Sequence, residues 1–263
     1  MYNALKKSKL TYFILSFYLV IFAWWVYIAT NNIENNYLFN WSYGILALVS
    51  GIYAIVIAKK HWGGSKSSLG KLLIFLGVGL LGQWLGLQVW TYYNVIAKVE
   101  VPYPSIADVG YFLLVPAYII AATMLFKVSG ARFTAKSLKS KFILVALPIV
   151  SLTVAFGLFV KDVGFTDSTP VRVFFDLAYP IGEIIPVTIA LSVLLMTTGI
   201  LGGKMRSRVQ FVVFAFAFQF LTEYFFLYQS GTGTYVNGGI SDLLYATSYA
   251  IMGLALVSFS RIE

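Results

Sequence analysis

The sequence predicts an all-α integral membrane protein of eight transmembrane helices, arranged as four tandem helical hairpins with both termini in the cytoplasm. Three observations predict it. Of 263 residues, 59% are apolar and only 11% are charged, against about 45–50% and about 25% in soluble globular chains. Such a chain cannot cover a water-facing globule, which excludes an ordinary soluble enzyme and a disordered protein. With no cysteine, a disulfide scaffold and thiolate chemistry are excluded as well.

The second observation is the division of the chain by its charges. A bilayer core of ~30 Å takes about 20 apolar residues per helix. Eight stretches qualify, at roughly 11–29, 41–58, 72–95, 106–126, 142–160, 173–200, 209–228 and 241–260. The third is the distribution of lysine and arginine. The N-terminus and alternate connections, with Arg261, hold 16 of them, and the opposite side holds only Lys98, Lys161 and Arg172. This is a strong positive-inside asymmetry. The net charge of +9 is therefore topological, and no nucleic-acid partner is expected.

The first stretch follows Lys6, Lys7 and Lys9 as a signal peptide would. It ends in Trp24-Trp25-Val26-Tyr27 and offers no small-residue cleavage site, so it reads as a retained span. The even-numbered spans share an opening motif: Asn40-x-x-Tyr43, Asp108-x-x-Tyr111, Asp176-x-x-Tyr179 and Asp242-x-x-Tyr245. Nineteen residues after the first position stand Lys59, Lys127 and Arg261, whereas the sixth span has Leu195 there and runs on. Among the odd spans, the third carries Gln83-Trp84 and the seventh Gln219-Phe220. Gly77, Gly79, Gly82 and Gly86 in the third span suit close helix packing. The hairpin units run approximately 10–60, 71–127, 141–200 and 208–261 within one membrane domain, 1–263.

Residues at i and i+3 share a helix face, so each Asp and its Tyr project together about one turn below the outer surface. A structural reading is available: an Asp in a first turn meets open backbone N–H groups, and a Tyr at that depth belongs to the interfacial aromatic belt. The deeper carboxylates ask for more. Glu183 lies two turns after Asp176, about 10 Å deeper, and Glu223 sits in the seventh span. A carboxylate within the bilayer costs roughly 2.5–3.5 kcal/mol or more and marks a candidate site, the alternative being a protonated Glu that only fixes helix packing. With Gln83, Gln219, Tyr111, Tyr179 and Tyr245, and near Pro116, Pro180 and Pro186, these acids would form an outward-opening pocket. Asp176 would be the anion at its mouth and Glu183 a proton-switchable group below.

Other chemistry is absent from the sequence. His61 is the sole histidine, too few for bis-imidazole haem ligation or an H-E-x-x-H zinc site. There is no G-x-S-x-G, no P-loop and no lysine within a span for a retinal Schiff base. No cofactor and no catalytic or metal residues are assigned, although a carboxylate-only intramembrane hydrolase stays open. The expected partners are membrane lipids, a small-molecule, lipid or cation ligand from the outer side, and a cytoplasmic signalling partner. The expected function is a non-enzymatic sensory or ligand-binding module, the alternative being a proton- or cation-coupled transporter or channel using the same carboxylates.

Two runs carry a resemblance: Tyr103-Pro104-Ser105-Ile106-Ala107-Asp108-Val109-Gly110-Tyr111 and Asp176-Leu177-Ala178-Tyr179-Pro180-Ile181-Gly182-Glu183. From about residue 70 onward the chain resembles the multi-pass membrane N-terminal sensory regions of bacterial and archaeal signalling proteins. There such regions precede diguanylate cyclase (GGDEF), phosphodiesterase (EAL) or histidine kinase output domains. The resemblance implies a sensory input module with an outward-facing site. It departs from the pattern at Glu263, where an output domain would begin, so the chain is either a stand-alone relative or the membrane part alone.

Overall fold

A computed structural model of the chain describes residues 5–6, 8–33, 35–134, 137–157, 169–197 and 201–260. The described residues are helical without a strand. The principal helices are α1 (Lys9–Thr30), α2 (Tyr37–His61), α3 (Ser68–Thr91), α4 (Ile106–Val128), α5 (Leu138–Ala155), α6 (Pro170–Met196), α7 (Gly203–Gly231) and α8 (Ile240–Val257). Among the described residues, seven of these are long and apolar enough to cross a membrane, and α5 contributes only a shorter apolar segment, Ser140–Thr153. The latter part of the fifth expected span, and Leu195's neighbours at the end of the sixth from 198 to 200, lie outside the described residues. Several long apolar helices in one chain make this a multi-pass membrane protein.

Local chemistry starts the helices where the sequence changes character. The Asn36 side chain accepts the Phe39 amide at 3.2 Å to open α2, and Ser67 accepts the Gly70 amide at 2.8 Å to open α3. At α4 the cap is reciprocal: Ser105 accepts from Ala107 while the Asp108 carboxylate accepts from the Ser105 amide at 2.7 Å. Thr169 caps α6, whose first residue is Pro170, where a missing N–H costs nothing. Helix α3 does not stop at Thr91 but runs into a π turn, Tyr92–Ala97.

The helices pack as a ring. Following contacts around it, α2 lies on α3, α3 on α4, α4 on α6, α6 on α7, α7 on α8, and α8 returns to α2. Helix α1 packs outside against α8 and α2, and α5 packs outside against α6. Both outer helices present large apolar side chains outward, among them Leu19, Val20 and Phe22 on α1 and Phe142, Val145 and Ile149 on α5. Lipid is the solvent that such faces suit.

The starts of α2, α4, α6 and α8 gather at one end of the bundle, the acidic end. The opposite, basic end is tied by Trp62, whose indole N–H donates to the Phe259 carbonyl at 2.8 Å, and by the Arg208 guanidinium over both rings.

Glycine decides how closely the central helices approach. A Cβ at Gly110 of α4 would lie 2.5 Å from the Gly86 nitrogen, and one at Gly82 would lie 2.7 Å from the Gly110 carbonyl. The Tyr111 and Tyr118 rings lie over Gly86 and Gly79, while Gly51 and Gly77 bring α2 onto α3 in the same way. The glycine stripe expected from the sequence therefore lines the α2–α3–α4 seams. Gly110→Ala should lower thermal stability in detergent by about 1–3 kcal/mol, because backbone must move to admit the methyl group. Gly231→Ala, with open space around it, should leave the melting temperature unchanged or slightly higher.

Candidate functional site

Buried polar side chains collect in the acidic half of the ring, in three layers. The outermost joins loop residues to the outer turns of the helices. Tyr103 donates to Asp176 Oδ1 at 2.8 Å, and Arg172 Nε stands 3.8 Å from the other Asp176 oxygen. Burial of its ring, then the Asp176 acceptor, raises the Tyr103 hydroxyl above the ordinary tyrosine range, so it stays a donor. Across the mouth, Asn237 Oδ1 accepts from Trp90 Nε1 at 3.0 Å and from Asn40 Nδ2 at 3.1 Å. Asn237 thereby joins α2, α3 and the α7–α8 loop.

Deeper lie two aspartates of the shared motif, Asp242 and Asp108. Asp242, 1% exposed, accepts from the Gly238 amide at 2.6 Å, Tyr43 at 3.1 Å and Tyr235 at 3.2 Å. Burial and the neighbouring Asp242 raise the Tyr235 hydroxyl, in the α7–α8 loop, well above its ordinary value. Asp108 accepts Tyr179 at 2.9 Å in addition to its own helix cap. The motif thus works between helices. Tyr43 of α2 serves the aspartate of α8, and Tyr179 of α6 serves the aspartate of α4.

The deepest layer centres on Glu223, which accepts from Gln219 and Tyr245, both at 2.7 Å. Gln219 in turn accepts from Ser248 at 2.5 Å. Gln83 accepts from Tyr249 at 3.0 Å, so α8 bridges the two glutamines of α3 and α7. Tyr43, Tyr249 and Tyr245 stack in sequence with ring centroids 6.0 and 6.1 Å apart, and Tyr111 packs beside them over Gly86. Glu183 is 5% exposed, with Glu223 as its charged neighbour, and no hydrogen bond to its carboxylate is found among the described residues. Nearby, the Tyr224 hydroxyl donates to the Pro180 carbonyl at 2.9 Å.

The structure therefore brings Glu223, Gln219 and Tyr245 into direct bonding, as it does Asp108 and Tyr179. Gln83 joins through Tyr249. Asp176 stands apart in the outermost layer, on α6 with Arg172 and bonded to Tyr103 of the loop before α4. Sequence reasoning missed Tyr235, Asn237, Trp90, Ser248 and Tyr249. Of these, Asn237 sits in a Gly-rich turn whose composition signals a loop, and only the fold makes that loop a lid on Asp242. A cleft of about 500 Å³ opens beside this network, lined by Tyr37, Trp90, Asn94 and residues 98–101. None of these was expected from the sequence.

Chemically, Asp242, Asp108 and Glu223 are acceptors surrounded by donors, and Glu183 is the exception among the described residues. That arrangement holds helices in register, and it would hold a ligand only by exchange of one donor for another. No protein-family model, curated protein or solved structure matches the chain. Replacing Asp242 by Ala leaves the Tyr43 hydroxyl and the Gly238 amide without their acceptor and Tyr235 with Asn237 Oδ1 at 3.3 Å alone, and should cost about 2–3 kcal/mol in thermal or denaturant unfolding. Asp176→Ala, which removes a part-exposed ion pair, should cost under about 1 kcal/mol.

Proposed function

We propose that the chain is a non-enzymatic membrane module that receives a small molecule, lipid or cation at its acidic end and responds by rearranging the polar network there. In this reading eight spans cross the cell membrane as four hairpins, the acidic end faces outward, and both termini are cytoplasmic. The resemblance to sensory regions of bacterial and archaeal signalling proteins makes a cytoplasmic signalling partner the natural recipient of the response.

One observation carries the reading: the asymmetry of the buried polar side chains. The acidic half holds the carboxylates, the glutamines and the bonded tyrosines. Toward the basic half, the buried polar groups among the described residues are hydroxyls, such as Thr188, Ser192, Thr197 and Ser258, and the Nε of Arg208 at the very end, with no buried carboxylate. A receptor site needs polarity on one side only, whereas coupled transport needs ionisable or strongly polar groups along the whole path. The second reading, a proton- or cation-coupled transporter or channel, is favoured by Glu183. A buried carboxylate with no donor among the described residues is the kind of group that exchanges a proton or cation.

Two experiments test the reading, the first its topology and the second its class. Thr234, on the exposed α7–α8 loop, and Lys66, at the other end, are each replaced by cysteine in this thiol-free chain. Thr234→Cys should react with an impermeant maleimide in intact cells, and Lys66→Cys only after permeabilisation; the opposite pattern inverts the topology. In proteoliposomes the wild-type protein should carry no proton or cation flux. A flux abolished by Glu183→Gln would establish transport instead.

A further inference from the structure

The cleft at the acidic end has a built wall and an unusual charge arrangement. Its volume of about 500 Å³ lies within the range of small-molecule sites, roughly 300–1,000 Å³. The π turn that shapes it is held by Asn94, whose amide donates to the Trp90 carbonyl at 2.9 Å. The amides of Lys98 and Val99 both reach the Tyr93 carbonyl. Lys98 itself takes a left-handed backbone, φ 53, which non-glycine residues adopt uncommonly and often near functional sites. Beyond that residue the chain keeps to the same cleft, so Lys98 and Glu100 both line it. Among the described residues neither makes an ion pair. A basic and an acidic residue therefore line one cleft, with no ion pair between them.

We propose that this cleft binds a small zwitterion carrying an oxyanion and an ammonium a few atoms apart. Lys98 takes the oxyanion. Glu100 takes the ammonium, which the aromatic surfaces of Tyr37 and Trp90 also favour. Trp90 contributes ring surface because its N–H is committed to Asn237 at 3.0 Å. The same bond places an occupant one residue from the loop that covers Asp242. The π turn also carries exposed Tyr92, Val95 and Ile96, which suit the membrane interface. Two sources offer this chemistry at that depth: the headgroup of a phosphatidylethanolamine lipid and a free zwitterion such as phosphoethanolamine.

The full chain is placed in phosphatidylglycerol nanodiscs and titrated calorimetrically with phosphoethanolamine. Saturable binding to one site is expected, weakened at least tenfold by Lys98→Gln and by Glu100→Gln. Both residues are exposed, so the melting temperature should not move in either variant. Inorganic phosphate and ethanolamine, each alone, should bind at least tenfold more weakly than phosphoethanolamine. Repetition in nanodiscs containing phosphatidylethanolamine distinguishes the sources. A reduced apparent affinity there assigns the cleft to the lipid headgroup, and an unchanged affinity assigns it to the free zwitterion. Absence of saturable binding, insensitivity to both substitutions, or equal affinity for phosphate alone overturns the proposal. Binding is read without any signalling output, so the result stands apart from the sensory reading.

Discussion

An aspartate buried in an apolar bundle must be given its hydrogen bonds by the protein, because no other donor is at hand. That constraint organises the acidic half of this molecule. Asp242 draws donors from α2, from the α7–α8 loop and from the backbone before its own helix. Asp108 draws one from α6 besides its own cap. The helices can meet only in the arrangement that delivers those donors, and the glycine seams then let them close to backbone contact. Removing a donor would leave a buried acceptor unpaired, so the network is stabilising only while complete.

The two bonds between a motif tyrosine and a motif aspartate are also reciprocal between the halves of the chain. Tyr43, in the first four helices, serves Asp242 in the last four, and Tyr179 in the last four serves Asp108 in the first. Both bonds fall where the ring passes from one half to the other, α2 against α8 and α4 against α6. Polar exchange thus closes the ring at its two seams. Within the first half, glycine-mediated contact does the joining. Helices α1 and α5 stay outside the ring, and their outward faces are correspondingly apolar.

Much of this was legible in the sequence, and the remainder has identifiable physical causes. The spans follow from apolar runs bounded by charge, and the helices lie close to them except at α5. The glycine stripe in α3 was readable because small residues at helical spacing have one common use. The Asp-x-x-Tyr motif was readable as a pair on one helix face, yet its partners were not. Spacing along one helix says which face a side chain takes, but not which neighbouring helix supplies the other half of a bond. Tyr43 opposite Asp242 is a tertiary fact. The cleft was invisible for a related reason: Lys98 and Glu100 read as ordinary loop charges until a π turn and a left-handed backbone set them along one wall.

The central claim is that the motif tyrosines and aspartates act as couplings between helices rather than as separate caps and belt residues. A double-mutant cycle on Tyr43→Phe and Asp242→Ala, read by reversible unfolding in detergent, tests it most directly. The account predicts that the two costs fail to add by about 1–3 kcal/mol, the double mutant being less destabilised than the sum. Additivity within about 0.5 kcal/mol, as found for independent sites, would contradict it.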